Sequence, residues 1–314
     1  MSTDEPRTTP DATATTGANG IGTSGSYDTL GATSDAPATP STGGPESRDL
    51  VDVPLDDPTG AGPAVGARKG TIRMVHLYPR EMSIYGDRGN TRALAMRARR
   101  HGYDAVVHEH HPGGEYPRDV DVVLGGGGQD SGQDRVREDL AAIGPTLAAQ
   151  ARDGMPMLMI CGMYQLFGHD FRTHTGRVIP GLGILDVTTR GNDVRMIGPV
   201  LLRTEFGDVV GYENHSGSTE RGEGQAPLGT VEYGRGNNGR DGTEGAIRDH
   251  VYGTYLHGPV LPANPAFIDR LLRQAVERSG AAFEPAVIDD TLADHARLRQ
   301  VERLRTAAAE GREV

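Results

Sequence analysis

The stretch that decides the fold spans residues 157–168 and holds the only cysteine of the 314-residue chain. Its sequence is Met157-Leu158-Met159-Ile160-Cys161-Gly162-Met163-Tyr164-Gln165-Leu166-Phe167-Gly168. A short apolar run ends at Cys161-Gly162 and residues with helical spacing follow, a pattern typical of a strand, a tight turn and a helix start. Unpaired backbone N–H groups and the helix dipole stabilise a thiolate at such a turn. Cys161 is therefore predicted to be a nucleophile, with a small buried core residue as the alternative.

The sequence around this stretch alternates short apolar runs with helical patterns. Strands are predicted at residues 72–78, 104–108, 121–124 and 156–160, with helices between them. This alternation predicts an α/β fold with a mostly parallel sheet flanked by helices. After residue 181, strand-like runs separated by Gly, Asn and Asp turns predict antiparallel additions to the sheet, and helices are predicted at about 264–278 and 289–309.

Reactive groups in parallel sheets gather outside the carboxyl ends of the strands. The polar loop at residues 83–90, the glycine run at 125–128 and Cys161 each follow a predicted strand. We therefore expect these three loops to meet at one crevice.

The first part of the chain has the composition of a disordered segment. Residues 1–66 contain one aromatic residue, ten acidic residues and two arginines, so −8 of the total net charge of −11 belongs to them. We predict a disordered acidic low-complexity tail at 1–68, a folded domain at 69–280 and a C-terminal helical extension at 281–314. The folded part is nearly neutral, which argues against a nucleic-acid binder.

The sequence also predicts a compartment. The start lacks the basic and apolar regions of a signal peptide, and no apolar run approaches the roughly 20 residues that span a bilayer. One cysteine excludes an internal disulfide framework. We therefore expect a cytoplasmic protein without a membrane span.

A nucleophilic cysteine needs a base, and the best candidate is His257, which follows a strand-like run and precedes Gly258-Pro259. A loop histidine without a role is the alternative, as a bare turn is for the glycine run. Backbone N–H groups of Gly127, Gly128 and Gly162 are predicted to hold an oxyanion, a contribution of about 3 to 4 kcal/mol per donor. These groups together indicate acyl transfer.

No metal site is predicted. His108, His110 and His111 are close in sequence, but strand alternation sends His111 to the face opposite the other two.

With these motifs in order, the chain over about residues 71–275 resembles a class I glutamine amidotransferase domain of the cobyric-acid-synthase (CobB/CobQ-like) type, which implies a flavodoxin-like fold. Cys161 and Gln165 match the nucleophile turn of that family, whereas Met159 and Met163 replace glycines of many relatives. Many class I enzymes carry a glutamate two residues after the histidine. Here that residue is Pro259, as in the cobyric-acid-synthase type, so an orienting carboxylate must come from elsewhere in this chain or from a partner.

Three further motifs resemble those of the glutamine amidotransferase subunit of lipid II isoglutaminyl synthase. They are Ile84-Tyr85-Gly86-Asp87-Arg88-Gly89-Asn90, Gly126-Gly127-Gly128-Gln129-Asp130 and Gly211-Tyr212-Glu213-Asn214-His215-Ser216-Gly217. The resemblance implies hydrolysis of L-glutamine and delivery of ammonia to a Mur-ligase-like, MurT-type partner. That partner would use ATP and Mg to amidate the D-glutamate α-carboxyl of lipid II, a membrane-bound acceptor, while this subunit needs no cofactor.

The same resemblance makes Arg195 a candidate to bind the carboxylate of glutamine, which a guanidinium suits chemically. An exposed strand arginine is the alternative. Asp87 and Arg88 are compatible with an ion pair that shapes their loop, and His215 with either loop capping or substrate contact. Two other functions stay open, an amidotransferase for another acceptor such as a corrinoid and a non-catalytic amidotransferase-like scaffold.

Overall fold

Strands and helices alternate along residues 68–313, which are the residues that the computed structural model describes. The strands are β1 (Thr71–Leu77), β2 (Asp104–His110), β3 (Val122–Gly125), β4 (Met157–Ile160), β5 (Asp170–Arg172), β6 (Val178–Pro180), β7 (Val187–Thr204), β8 (Gly207–Arg221), β9 (Gly229–Tyr233), β10 (Thr243–Glu244), β11 (Ala246–Arg248), β12 (Val251–Thr254) and β13 (Leu256–His257). The helices are α1 (Arg88–Arg100), α2 (Asp130–Arg152), α3 (Gly162–Phe167), α4 (Val260–Ala263), α5 (Pro265–Arg278) and α6 (Thr291–Glu310). A short 3₁₀ helix covers Ile84–Gly86.

The first sheet has six strands in the order β11-β12-β4-β3-β1-β2. All neighbours are parallel except β11, which pairs antiparallel with β12 at the edge. The central strands β3 and β4 are buried at every residue, which explains their continuous apolar sequences. The carboxyl ends of β1, β3, β4 and β12 consequently lie side by side.

The second sheet follows the order β10-β9-β7-β5-β6, with β8 paired to β7 and β13 paired to β8. Its largest part is the antiparallel hairpin of β7 and β8, which pairs from Val187 with Arg221 to Thr204 with Gly207. The predicted α/β class with a mostly parallel sheet and antiparallel strands is confirmed. Most of the antiparallel strands form a sheet of their own, because the long hairpin pairs with itself rather than with the first sheet.

The C-terminal extension contains α6, which packs against the second sheet. Val301 and Leu304 are buried against Leu201 and Val210, and Arg305 forms ion pairs with two acidic residues of that sheet. The predicted acidic tail lies outside the described residues apart from residue 68, so the division at 68 and 280 stays a prediction. Between residues 68 and 313, no helix combines the length and the apolar character that crossing a bilayer requires.

Candidate active site

Cys161 lies at a sharp turn between β4 and α3. Its backbone has φ 50° and ψ −103°, a left-handed conformation that non-glycine residues rarely adopt and that functional sites often retain. Its N–H donates to the carbonyl of Thr254 at 2.8 Å, and its carbonyl accepts from the N–H of Gln165 at 3.0 Å. Hydrogen bonds therefore tie Cys161 to strand β12 on one side and to helix α3 on the other, as in the nucleophile turn of hydrolases.

Met159 and Met163 lie on either side of this turn, and Gly125 of the neighbouring strand leaves room for their side chains. A Cβ atom on Gly125 would lie 2.8 Å from Cγ of Met163 and 3.0 Å from Sδ of Met159. Gly125 of the neighbouring strand β3 thus leaves the space that the two methionine side chains occupy.

His257 lies beside Cys161 because the chain crosses from the first sheet to the second between β12 and β13. β12 ends at Thr254 in the first sheet, and His257 pairs with Tyr212 of the second sheet. A Cβ atom on Gly127 would lie 2.7 Å from Cε1 of His257 and 3.2 Å from Cβ of Cys161. The predicted nucleophile and base, about a hundred residues apart in sequence, therefore meet at the glycine loop.

Asp87 supplies the carboxylate that the histidine motif did not identify. Its Oδ1 lies 3.0 Å from Nδ1 of His257, and both side chains are almost fully buried. The expected ion pair between Asp87 and Arg88 is absent among the described residues, since Arg88 pairs instead with Glu109. Because Nδ1 faces the carboxylate, the ring presents Nε2, which is buried and has no hydrogen-bond partner within residues 68–313.

The surroundings of His257 favour its protonated form. Burial alone would lower the pKa of His257, but the hydrogen bond to Asp87 and the neighbouring Cys161 sulfur raise it to about 10. Near neutral pH the imidazole therefore carries two protons. Tyr85 packs edge-on against it, with ring centroids 4.9 Å apart.

The three predicted glycines have different roles in the structure. The N–H of Gly127 donates to Oδ2 of Asp87 at 2.6 Å, so this glycine holds the carboxylate and is not a free oxyanion donor. Gly128 and Gly162 lie against each other, since a Cβ atom on Gly162 would be 2.9 Å from the nitrogen of Gly128. Neither of these two N–H groups finds an acceptor within residues 68–313, which leaves both free for an oxyanion.

A cavity of about 310 Å³ opens next to Cys161. Of the predicted residues it is lined by Cys161, Gln165, Gly128 and Arg195, but not by His257, Gly127 or Gly162. His257 borders a separate cavity of about 360 Å³, together with Tyr212 and Pro259.

Arg195 reaches the first cavity from an irregularity in β7. The register of β7 against β8 shifts between Gly191 and Met196, and Arg195 lies in this segment. Its Nε donates to Asn214 at 2.6 Å and its Nη2 donates to the hydroxyl of Tyr85 at 2.8 Å. It pairs with no carboxylate of the described chain, so its charge is available to an anionic ligand.

A buried polar network lies beneath the cavity. Nε2 of Gln133 donates to Oε1 of Gln165 at 2.7 Å, and Nε2 of Gln165 donates to the hydroxyl of Tyr255 at 3.1 Å. The ring of His215 stacks on Tyr255 with centroids 3.6 Å apart, and its Nδ1 contacts the carbonyl of Gly217 at 2.8 Å. His215 therefore lies within β8, not in the expected loop, and lines the cavity.

The sequence motifs did not assign a catalytic or substrate-binding role to Asp87 or Gln133. Asp87 lies in the motif at residues 84–90, which follows the first strand. An acidic residue at the carboxyl edge of the sheet is the sequence feature that could have indicated its role. For Gln133, nothing in the sequence distinguishes it from other polar residues of a helix. No cluster of three or more His, Cys, Asp or Glu residues in the described part of the chain is arranged to bind a metal ion.

Comparison with known proteins adds a family to this geometry. The CobB/CobQ-like glutamine amidotransferase domain matches residues 73–265. Subunit GatD of the lipid II isoglutaminyl synthase (glutamine-hydrolyzing) of Staphylococcus aureus is 38% identical over 221 residues, covering 70% of this chain and 90% of that one. The Streptococcus pneumoniae subunit of the same name is 34% identical over 215 residues, covering 66% and 81%. A probable cobyric acid synthase of Methanoculleus marisnigri is 35% identical over 173 residues, covering 49% and 32%.

Proposed function

Since the chain belongs to the CobB/CobQ-like glutamine amidotransferase family, we propose that it hydrolyses L-glutamine with Cys161 as nucleophile, His257 as acid and base, and Asp87 as the residue that orients His257. The buried contact of His257 with Asp87, next to the thiol and the cavity, is the observation that carries this proposal. It provides a nucleophile, a proton carrier and an orienting carboxylate in one place.

The mechanism follows from these positions. The nucleophilic sulfur of Cys161 attacks the side-chain amide carbon of glutamine beside protonated His257. The N–H groups of Gly128 and Gly162 stabilise the oxyanion. Nε2 of His257 gives its proton to the nitrogen, the C–N bond breaks and ammonia leaves. His257 then takes a proton from water, which attacks the thioester and releases glutamate.

Arg195 binds the α-carboxylate of glutamine in this proposal. Its guanidinium lines the cavity, has no ion pair within residues 68–313 and is oriented by Tyr85 and Asn214. Two hydrogen bonds to neutral groups hold the side chain without neutralising it, which suits recognition of a carboxylate.

Release of glutamate and ammonia from L-glutamine by the full-length chain tests the proposed reaction. We expect Cys161→Ala to lower turnover by at least about 10⁴-fold while leaving the fold intact, because the chain contains no other cysteine. Unchanged turnover in this variant would refute the reaction and favour a non-catalytic scaffold.

For the acceptor, we infer that the ammonia amidates the D-glutamate α-carboxyl of lipid II on a Mur-ligase-like, MurT-type partner in the cytoplasm. The two relatives named as subunits of lipid II isoglutaminyl synthase support this choice, since the chain spans 90% and 81% of their lengths. ATP and Mg would be bound by the partner, and this subunit would need no cofactor.

A corrinoid acceptor is the second candidate, favoured by the 35% identity to a probable cobyric acid synthase. The chain spans only 32% of that protein, which makes it the weaker choice. Co-purification of a Mur-ligase-like protein and transfer of ¹⁵N from amide-labelled glutamine into lipid II would support the first acceptor. Transfer of the label into a corrinoid instead would establish the second.

A further inference from the structure

Gln133 has a buried polar atom without a hydrogen-bond partner in the described part of the chain, and the residue lines the cavity. The side chain is 1% exposed, lines the cavity beside Cys161 and donates its Nε2 to Gln165. Its Oε1 atom is buried and accepts no hydrogen bond from residues 68–313. A buried acceptor without a donor costs about 1 to 3 kcal/mol, so a ligand that brings an N–H donor would recover this energy.

His215 offers the other unpartnered side-chain atom of the cavity, its Nε2. That nitrogen lies 3.7 Å from a carboxylate oxygen of Glu213, so a polar side chain of the protein is already close to it. Gln133 has no such partner, and its oxygen can act only as an acceptor. The choice therefore falls on Gln133.

Glutamine carries two N–H groups that Oε1 could accept from, the side-chain amide and the α-ammonium. The leaving amide nitrogen must face Nε2 of His257 to receive its proton, and His257 does not line this cavity. Arg195, which does line it, is the candidate for the α-carboxylate. The α-ammonium is then the donor left for the part of the cavity that Gln133 lines.

We propose that Gln133 is a specificity residue whose Oε1 accepts a hydrogen bond from the α-ammonium of L-glutamine. This inference rests on the proposed function and adds a substrate contact to it. Gln133 donates to Gln165, and Gln165 donates to Tyr255, so this chain of hydrogen bonds orders the Gln133 side chain before the substrate arrives. A charge-assisted hydrogen bond of this kind lets the site discriminate against analogues without the amino group.

Binding measurements in a Cys161→Ala background test this contact without turnover. Calorimetry would compare L-glutamine with glutaramic acid, the same molecule without its α-amino group. We expect Gln133→Leu to weaken binding of L-glutamine by about 10- to 100-fold, since a hydrogen bond to a charged group is lost. Binding of glutaramic acid should change less than about 3-fold, since it lacks the donor.

Two further variants control for a merely structural effect. Gln133→Glu removes the donor to Gln165 but keeps an oxygen acceptor, and should retain the preference for L-glutamine. Gln150→Leu removes a glutamine that accepts from Tyr116 elsewhere on α2 and should leave binding of both ligands unchanged.

Equal weakening of both ligands by Gln133→Leu, or of neither, would overturn the proposal. Loss of the discrimination in Asp130→Asn but not in Gln133→Leu would also overturn it, since Asp130 lines the same cavity. If the wild-type chain binds glutamine but releases no ammonia, the proposed function fails while the contact of Gln133 can still be measured.

Discussion

Two histidine–aspartate pairs in different parts of the molecule have opposite surroundings. In the candidate active site, Asp87 faces Nδ1 of His257, and Nε2 of that ring has no hydrogen-bond partner in the described chain. Where α1, α5 and the C-terminal extension meet, Asp269 lies 2.8 Å from Nε2 of His101, and Nδ1 of His101 accepts from the N–H of Ala286 at 3.1 Å. The first ring keeps a nitrogen for a reacting group, whereas the second ring uses both.

The two pairs also differ in their charged neighbours. Asp269 also accepts from Arg97 at 2.7 Å, and Arg97 in turn contacts Asp290 at 2.7 Å. Burial alone would raise the pKa of Asp269, but the hydrogen bonds from Arg97 and His101 lower it to about 2. No arginine or lysine within residues 68–313 forms an ion pair with Asp87. The His101–Asp269 network, in which every polar group has a partner, holds the side chains in fixed positions. The His257–Asp87 pair has one ring nitrogen without a partner among the described residues, which can transfer a proton.

The largest difference between the pairs should be seen in turnover. We expect Asp87→Asn to lower kcat of glutamine hydrolysis by about 10³-fold, because an amide can stabilise the wrong tautomer of His257 and does not stabilise its cation. Steady-state ammonia release measures this effect. Asp269→Asn is the matched control and should change kcat by less than about 2-fold, since it does not contact the site. Equal losses in both variants would remove the distinction between the pairs.

A smaller loss is expected from crowding the active-site pair. Gly127→Ala would place a methyl group 2.7 Å from Cε1 of His257. Displacement of the ring should lower kcat by about 100-fold, since small errors in the position of a catalytic group are costly. Gly144→Ala is the control, because its methyl group would meet only the side chain of Leu182. Normal kcat in the Gly127 variant would show that the ring tolerates displacement.

The second pair should affect stability rather than turnover. We expect Asp269→Asn to lower the free energy of unfolding by about 1 to 3 kcal/mol, because Arg97 and His101 lose a charged acceptor in a partly buried place. Urea denaturation followed by circular dichroism measures this. Unchanged stability in Asp269→Asn would contradict a structural role for this second pair.

The smallest effects concern pH. The pKa of His257 rises from about 6.5 in the unfolded chain to about 10 in the folded chain. Its contribution to stability is therefore complete below about pH 6.5 and is lost as pH rises through about 10. The pKa of Asp269 falls to about 2, so its contribution is present above about pH 3.8 and is lost as pH falls through about 2.

Urea denaturation at a series of pH values checks both directions. Asp87→Asn should flatten the decline in stability between about pH 6.5 and 10, because the pKa of His257 then lies closer to its unfolded value. Asp269→Asn should flatten only the acid decline. These interpretations would be refuted if Asp87→Asn flattened the acid decline and Asp269→Asn flattened the alkaline decline.

Much of this arrangement could be predicted from local sequence. The apolar run before Cys161 predicted β4 and its turn, because a buried parallel strand must be apolar at every residue. The rule that functional loops gather at the carboxyl ends of parallel strands then placed the glycine loop near the thiol. His257 was found because it ends a strand-like run.

The remaining features depend on contacts between residues far apart in sequence. Asp87 reaches His257 across 170 residues, and helix capping rules gave no sign of this. Helix α1 begins at Arg88, directly after Asp87. Asp87 precedes it without capping it, because its carboxylate is bound to His257 and Gly127. The side chain of Asn90 instead accepts from the N–H of Leu261 at 2.9 Å.

The position of Arg195, which lies in a strand, could also not be predicted from local sequence. Its presence at the cavity depends on the irregular register of β7 against β8, and strand alternation alone does not determine where such an irregularity falls. The resemblance to a family selected this residue, and the backbone geometry explains how it reaches the cavity.

The position of Cys161 also has a practical use. The only sulfhydryl of the polypeptide lies at the base of an opening that admits a small molecule. An electrophile that enters there would modify each polypeptide once, at the sulfur of the proposed nucleophile. Mass spectrometry of the intact adduct would then count the fraction of molecules whose pocket is correctly formed, before any turnover is measured.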